Sequence, residues 1–373
     1  MMKYNTTLKH LPSSEIAEFQ TFLKQIKDIT LLTYGESDLP VEKEIKSELI
    51  NSVLDNHDHY TSSYGLKDLR HSISQKENTR YHLKTTQDNV LITFGSTEAM
   101  FLVLSSLINK NDEVIIVKPY YPLYIQILSY LNAKIKIVEC NEDFVIDLND
   151  FKKKINNKTK AIILNYPNNP SGSVLSKEVA NNLAKILSKY PTQIILDNVY
   201  DEIVFDKSYS LLDYQELHQK TIIVNSLSKS QRLTGWRLGY LLANQELVLL
   251  CNKLHQMINV CLPHFMMDSM RFALNNSSQI EYYQNNVEYA YNFLKKLKLD
   301  PIKPSGGYYI IFSIKKFNLD SLTFCKKMAL EYQIGLLPGI FFGLEYYVRI
   351  SISYQLKKLV FGLNKLKKGI KTL

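Results

Sequence analysis

The chain has 373 residues, of which 45% are hydrophobic and 22% are charged, and its formal net charge is +9. A chain of this length can bury a large core, and the composition is ordinary for a globular protein. No hydrophobic run reaches the roughly 18 residues that a membrane helix needs, and the N-terminus lacks the apolar core of a signal peptide. We therefore expect a cytoplasmic protein that does not bind membranes.

The charged residues and cysteines give no sign of a nucleic-acid or metal site. Lysines are spread along the chain and are densest at its C-terminus, without a basic run interleaved with aromatic residues. Such a distribution argues against a nucleic-acid-binding module. The cysteines lack the paired spacing of metal ligands, so we expect each to be a small core residue. They are Cys140, Cys251, Cys261 and Cys325.

The first predicted element is an amphipathic helix over residues 14–26. Ser14 suits its N-cap, and Ile16, Phe19 and Leu23 recur on one face. A helix that packs on the body of the protein explains this pattern, and no functional role is needed for this segment.

Residues 90–94 form a buried-strand pattern that is followed by Gly95 and an apolar helical run to about Leu107. A strand, a glycine turn and a helix in this order direct free backbone N–H groups and the positive end of the helix dipole at one point. Ser96 and Thr97 add hydroxyl donors there. The segment predicts a phosphate site, and an ordinary helix cap is the alternative.

Further apolar runs predict strands that alternate with helical stretches, one of them near residues 176–189. This alternation predicts an α/β fold with a mostly parallel sheet covered by helices on both faces. Ligands bind such sheets at the carboxyl ends of the strands. The predicted strands of this region are 113–117, 134–138, 160–164, 193–196 and 221–224.

Two polar side chains follow these strands closely. Asp197 ends an apolar strand, where a carboxylate is costly to bury without a cationic partner. Tyr121 lies in a Pro-x-Tyr-Pro segment after another strand, and could stack on an electron-poor ring. For its neighbours Tyr120 and Tyr124, packing is the alternative.

Lys229 follows the strand at 221–224 and stands among small hydroxyl residues. Burial favours the neutral form of an amine, which is a nucleophile towards aldehydes. Arg237, flanked by glycines shortly after it, has the planar fork that suits a phosphate. A small molecule that carries both an aldehyde and a phosphate fits the description of pyridoxal phosphate.

The C-terminal third contains another predicted strand at 236–242 and strands at 306–312 and 347–352. Arg349 stands in the middle of the last strand and suits a carboxylate ligand, with an ion pair inside a small domain as the alternative. Helices are predicted at 246–259, 279–298 and 355–373, the last with Leu356, Leu359, Val360, Leu363 and Leu366 on one side.

Residues Ser226 to Lys229, followed by Thr234 to Tyr240, resemble the cofactor-lysine signature of the class I/II aminotransferases, which are fold-type I pyridoxal-phosphate enzymes. Other family segments occur in the same order along the chain. Three positions depart from the family pattern: Ser37 and Ser171 replace a proline and a threonine, and Asn198 replaces a glutamate. The resembling segments are 34–38, 60–70, 95–99, 165–172, 197–200, 306–312, 338–343 and Arg349.

The resemblance implies a large domain with a mostly parallel mixed sheet covered by helices, and a smaller α+β domain. Residues 1–45 would form an N-terminal arm and part of the small domain. Residues 46–275 would form the large cofactor-binding domain, and residues 276–373 the C-terminal small domain. It also implies a homodimer whose active site is shared across the interface.

The resemblance assigns roles to individual residues. Lys229 would hold the cofactor and move a proton, Asp197 would pair with the pyridine nitrogen, and Tyr200 would bond the phenolic oxygen. Gly35 and Arg349 would bind the substrate carboxylate. The remaining cofactor contacts would come from Asn169 at the phenolic oxygen, Tyr121 on the ring face, Ser96, Thr97, Ser226 and Arg237 at the phosphate, and Tyr60 at the phosphate of the neighbouring subunit.

The function implied is a pyridoxal-phosphate-dependent aminotransferase that moves an amino group between an L-amino acid and a 2-oxo acid. A carbon–sulfur lyase or another eliminating enzyme on the same fold is the first alternative. A non-catalytic cofactor-binding regulator is the second. No second cation for a dicarboxylate can be placed from spacing, and Tyr34, Ile340 and Phe341 would suit an apolar or aromatic substrate side chain.

Overall fold

The computed structural model describes residues 4–274, 276 and 279–373. Its strands, in chain order, are β1 Thr30–Leu31, β2 Val90–Thr93, β3 Glu113–Val117, β4 Lys134–Val138, β5 Thr159–Leu164, β6 Gln193–Asp197, β7 Thr221–Ser226, β8 Gly239–Leu242, β9 Tyr309–Ser313, β10 Ile334–Gly335, β11 Leu337–Pro338 and β12 Tyr347–Ser351. Its helices are α1 Thr6–His10, α2 Glu15–Lys24, α3 Lys43–Leu54, α4 Lys67–Tyr81, α5 Gly95–Leu107, α6 Leu123–Tyr130, α7 Leu148–Lys154, α8 Lys177–Leu187, α9 Leu227–Ser230, α10 Gln245–Asn259, α11 His264–Ala273, α12 Ile280–Lys296, α13 Ser321–Tyr332 and α14 Leu356–Ile370.

The central sheet has seven strands in the order β2-β8-β7-β6-β5-β3-β4. Only β8 runs antiparallel to its neighbours in this sheet, which confirms the predicted mostly parallel architecture. Strands β2 and β7 are buried along their whole length. Helices cover both faces, which is why these strands read as continuous apolar runs.

The strand predicted at 236–242 is wrong at its start, because β8 begins only at Gly239. Residues Thr234–Trp236 form a 3₁₀ turn that ends at Arg237, whose φ of 56° lies in the left-handed region. A residue in that region interrupts an extended strand. The turn carries the Arg237 side chain towards Gly95 at the start of α5.

A second hydrophobic core unites the N-terminal segment with the C-terminal third of the chain. Strands β11, β12 and β9 form an antiparallel sheet, and β1 pairs with β10. Phe19, Leu23 and Leu32 are buried in the same cluster as Phe312 and Val348. This clustering agrees with a small domain built from both ends of the chain. The domain bounds stay a prediction, and the boundary residue 275 lies outside the described residues.

The predicted helices at 14–26, 176–189, 246–259 and 279–298 are confirmed as α2, α8, α10 and α12. The last helix, α14, buries Leu359, Leu363 and Leu366, but Leu356 is 47% exposed. No helix in the described part of the chain is long and apolar enough to cross a membrane.

The expectation for the cysteines holds for only two of them. Cys251 and Cys325 are buried, whereas Cys140 and Cys261 are half-buried. The latter two lie outside the fully buried core.

Candidate active site

A cavity of about 280 Å³ opens at the carboxyl ends of the central strands. It contains most of the residues that the sequence singles out, although they come from distant parts of the chain. The predicted site residues that line it are Gly35, Ser96, Thr97, Tyr121, Asn169, Asp197, Tyr200, Lys229, Arg237 and Arg349.

Lys229 lies in the short helix α9, which follows β7 directly, and its side chain is half-buried. Its Nζ donates a hydrogen bond to the carbonyl oxygen of Gly35 over 2.5 Å. Tyr309 packs so closely on position 35 that only a glycine fits there, because a Cβ would lie 1.9 Å from the Tyr309 hydroxyl oxygen. The same carbonyl accepts a hydrogen bond from the Tyr308 hydroxyl over 2.9 Å. The N-terminal segment thereby fixes the position of the lysine amine.

Asp197 is the last residue of β6 and is only 8% exposed. Its carboxylate accepts hydrogen bonds from the hydroxyl of Tyr124 at 2.6 Å and from the backbone N–H of Val199 at 3.4 Å. Burial raises the pKa of Asp197 to about 6, while the Tyr124 hydrogen bond and the charge of Lys229 oppose this rise. At neutral pH the cavity therefore holds a buried carboxylate that a cationic ligand group would stabilise.

The N-terminus of α5 and Arg237 lie together in the lining of the cavity. Ser96 and Thr97 lie in the first turn of this helix, where backbone N–H groups have no partner within the helix. The guanidinium of Arg237 rests against Gly95, since a Cβ there would lie 2.8 Å from Nη2. Glu98 is bound by the Phe94 N–H at 2.6 Å and by His255 at 3.0 Å, on the inner side of the helix.

Arg349 lies in β12 and is 4% exposed. Its Nη1 donates to Oδ1 of Asn169 at 2.8 Å, and its Nη2 donates to the carbonyl of Thr33 at 2.6 Å. Within the described residues, its buried Nε has no hydrogen-bond partner. Its Cζ lies 4.1 Å from the ring centroid of Tyr309. Because these hydrogen bonds go to neutral oxygen atoms, the charge is left available for an anionic ligand.

Tyr200 shares a hydrogen bond with Tyr309, with 2.9 Å between the hydroxyl oxygens. Burial raises the pKa of Tyr200, so its hydroxyl stays protonated at neutral pH. The Lys229 Nζ lies 5.9 Å from the centroid of the Tyr200 ring. Tyr200 can therefore act as a neutral hydrogen-bond donor beside the amine.

Two predicted cofactor residues lie outside the cavity. Ser226 is buried, and its hydroxyl accepts a hydrogen bond from the N–H of Ser228 at 3.4 Å as the cap of α9. Ser228 lines the cavity in its place. Tyr60 is 88% exposed, as a residue that acts on a second subunit would be. The roles of both residues stay predictions.

Of the three residues expected to line a side-chain pocket, only Tyr34 borders the cavity. Ile340 is 43% exposed, and Phe341 packs edge-on against Phe19 with 5.7 Å between ring centroids. Phe341 is therefore part of the second hydrophobic core, together with Phe19. The wall next to Tyr34 comes instead from α2, through Ile16 and Gln20.

Residues 27–360 match the sequence family described as aminotransferase class I and II. A probable aspartate aminotransferase of Methanocaldococcus jannaschii is 33% identical over 362 residues, which are 94% of this chain and 94% of that protein. The (5-formylfuran-3-yl)methyl phosphate transaminase of the same organism is 32% identical, with 91% of each chain covered. The crystal structure of aspartate aminotransferase from Thermotoga maritima superposes with a TM-score of 0.94 at 26% identity, covering 99% of this chain and 100% of that one.

Proposed function

The chain belongs to the aminotransferase class I and II family and is an aminotransferase, and we propose that it binds pyridoxal 5′-phosphate between Lys229 and Asp197. It moves an amino group between an L-amino acid and a 2-oxo acid. The observation that supports this cofactor is one cavity lined by an amine, a buried carboxylate and a helix N-terminus with an arginine. When bound, the cofactor supplies an aldehyde that captures amines and a ring that accepts electrons.

In this proposal, Lys229 would hold the cofactor through its Nζ and, once the incoming amino acid has freed that nitrogen, would move the proton at the substrate α-carbon. Asp197 would keep a proton on the ring nitrogen, which suits a carboxylate whose burial demands a cationic neighbour. Asn169 and Tyr200 donate hydrogen bonds to the phenolic oxygen. Tyr121, half-buried at the cavity wall, covers one face of the ring.

The phosphate would be held by the N-terminus of α5 and by cationic and hydroxyl side chains. A dianion there gains from the helix dipole and from the guanidinium of Arg237 together. The residues proposed for this role are Ser96, Thr97, Ser226 and Arg237.

Arg349 would bind the substrate α-carboxylate, with Gly35 leaving room for its approach. The guanidinium is already held flat by Tyr309 and by hydrogen bonds to Asn169 and Thr33. A fork that is fixed before binding loses little conformational entropy when the carboxylate arrives.

The proposal also includes a cytoplasmic homodimer in which Tyr60 binds the cofactor phosphate of the other subunit. Large apolar side chains that face solvent in the isolated chain support a second copy as partner, among them Val53 at 51%, Leu54 at 72% and Met257 at 81% exposed. Exposed apolar surface of this kind is typical of an oligomer interface.

The test is a half-reaction with purified protein, pyridoxal phosphate and a single amino acid. We expect a visible absorption band that disappears as one equivalent of 2-oxo acid is released without ammonia. A Lys229→Ala variant should lack the reaction, whereas Lys185→Ala, on an exposed position of α8, should keep it. Continuous ammonia release would indicate an eliminating enzyme, and an unchanged band in Lys229→Ala would contradict the assignment of the lysine.

A further inference from the structure

We infer that Tyr309 is a positioning residue of the active site. Its hydroxyl directs the proton of Tyr200 to the phenolic oxygen of the cofactor, and its ring supports the guanidinium of Arg349. The inference rests on the proposed function, because Tyr200 and Arg349 act there on the cofactor and on the substrate.

Tyr309 lies between the groups proposed for the substrate and for the cofactor. It is the first residue of β9, it lines the cavity, and it is 2% exposed. Its ring centroid lies 4.1 Å from Cζ of Arg349, which stands on the adjacent strand β12. Its hydroxyl oxygen lies 2.9 Å from that of Tyr200, and the two rings pack edge-on with 5.7 Å between centroids. The ring therefore serves the arginine while the hydroxyl serves the second tyrosine.

The proposed role of Tyr200 fixes the direction of the hydrogen bond between the two hydroxyls. A tyrosine hydroxyl has one proton to donate and can accept through its lone pairs. Burial raises the pKa of Tyr200, so this proton is kept at neutral pH. If the proton goes to the phenolic oxygen, then Tyr200 can only accept from Tyr309. The two hydroxyls form a chain that ends on the cofactor, and each hydrogen bond in such a chain strengthens the next.

The hydroxyl of Tyr309 is held in place by close packing on Gly35. A Cβ at position 35 would lie 1.9 Å from this oxygen and 3.3 Å from Nζ of Lys229. The neighbouring Tyr308 uses its hydroxyl differently, because it donates to the carbonyl of Gly35 over 2.9 Å and meets Tyr200 ring against ring at 5.6 Å. The Tyr309 hydroxyl is therefore oriented before a cofactor arrives, as a positioning group requires.

The first experiment follows the visible spectrum of the holoenzyme as the pH is varied. A hydrogen bond to the phenolic oxygen stabilises negative charge on it, which lowers the pH at which the absorption of the bound cofactor changes. Tyr309→Phe should weaken the bond from Tyr200 and raise this pH midpoint by about half a unit. Tyr347→Phe, on β12 and outside the cavity lining, is the matched control and should leave the midpoint unchanged.

A double mutant tests whether Tyr309 acts through Tyr200. Tyr200→Phe should raise the midpoint by about one to two pH units, and adding Tyr309→Phe should raise it no further. A further rise in the double mutant, or an unchanged midpoint in Tyr309→Phe alone, would overturn the inference. If Tyr200→Phe itself leaves the midpoint unchanged, or if the wild type shows no visible band, the proposed function fails first.

Kinetics of the half-reaction separate the ring from the hydroxyl. Tyr309→Phe keeps the ring on Arg349, so KM should stay within about twofold of wild type while kcat falls by about threefold to tenfold. Tyr309→Leu also removes the ring, and KM should rise by about tenfold because the cation–π contact is lost. Equal KM values for the two variants would contradict the role of the ring.

Discussion

The hydroxyl of Tyr124 donates a hydrogen bond to the carboxylate of Asp197 over 2.6 Å, and both side chains are buried. This bond favours the charged carboxylate and so opposes the effect of burial, which raises the pKa of Asp197 to about 6. Tyr124 is therefore an electrostatic partner of the proposed ring-nitrogen ligand as well as a packing residue.

Tyr124→Phe should raise the pKa of Asp197 further, because the hydrogen bond to its charged form is lost. A hydrogen bond to a charged group is worth about 1.5–3 kcal/mol, so the acidic limb of the pH profile of pyridoxal phosphate binding to the cofactor-free protein should move up by about one to two pH units. Tyr130→Phe, in the same helix α6, is the matched control and should leave the profile unchanged. Coincident profiles for Tyr124→Phe and wild type would show that the bond does not set the charge of Asp197.

Asp197→Asn should stabilise the protein without cofactor at neutral pH while removing the activity. The folded-state pKa of Asp197 is raised from 3.8 to about 6, so the folded chain binds this proton more tightly than the unfolded chain. Stability is then lost as the pH rises from about 4 to about 6, by up to roughly 3 kcal/mol. The uncharged asparagine avoids this loss.

The measurement is urea unfolding of both proteins without cofactor between pH 4.5 and 8, together with kcat of the half-reaction. Above pH 7, Asp197→Asn should be the more stable by about 2 kcal/mol, and its kcat should fall at least about a hundredfold. Asp143→Asn, at an exposed position, controls for the change of net charge. If the free energy of unfolding of the wild type does not fall relative to that of Asp197→Asn between pH 4.5 and 6.5, then the buried carboxylate does not destabilise the cofactor-free protein.

Arg349→Lys should weaken amino acid binding although the positive charge is kept. An ammonium group cannot make the two parallel hydrogen bonds of a guanidinium, and it loses the stacking on Tyr309 at 4.1 Å. We expect kcat/KM to fall by about tenfold to a hundredfold, mainly through KM. Arg70→Lys serves as control, because Arg70 is also buried but donates to the carbonyl of Gln87 outside the cavity. Equal effects of both substitutions on KM would contradict a substrate role for Arg349.

Features that depend on neighbours in the sequence were predictable. Asp197, Lys229 and Arg349 are each a polar residue in or directly after an apolar strand, and the strand pattern is local. The alternation of strands and helices likewise predicted the mostly parallel sheet. What these residues have in common is that the cost of burying their charge can be seen from the sequence alone.

Features that depend on distant contacts were not predictable. The Tyr124–Asp197 bond joins residues 73 positions apart, and nothing near Tyr124 distinguishes it from a packing tyrosine. The helix α3 gives little apolar pattern, because only Ile45 and Ser52 of its residues are buried. The start of β8 depends on the left-handed backbone of Arg237, for which a non-glycine residue gives no sequence signal.

Gly95 contacts the guanidinium of Arg237 in the proposed phosphate site. Gly95 has a φ of 77°, and a Cβ there would lie 2.8 Å from Nη2 of Arg237. Gly95→Ala would therefore strain the first residue of α5 and displace the guanidinium. The backbone strain alone costs about 1–2 kcal/mol.

We expect Gly95→Ala to raise the Kd for pyridoxal phosphate by at least about tenfold, because the displaced guanidinium loses a charge-assisted contact worth about 1.5–3 kcal/mol. Titration followed by absorbance measures this Kd. Gly235→Ala is the matched control in the turn before Arg237, since in the described part of the chain no heavy atom beyond its chain neighbours lies within 4 Å of the Cβ it would add. Its Kd should stay within about twofold of wild type, as expected of a surface substitution. If Gly95→Ala lowers the melting temperature but binds the cofactor as tightly as wild type, then the contact stabilises the fold and does not form the phosphate site.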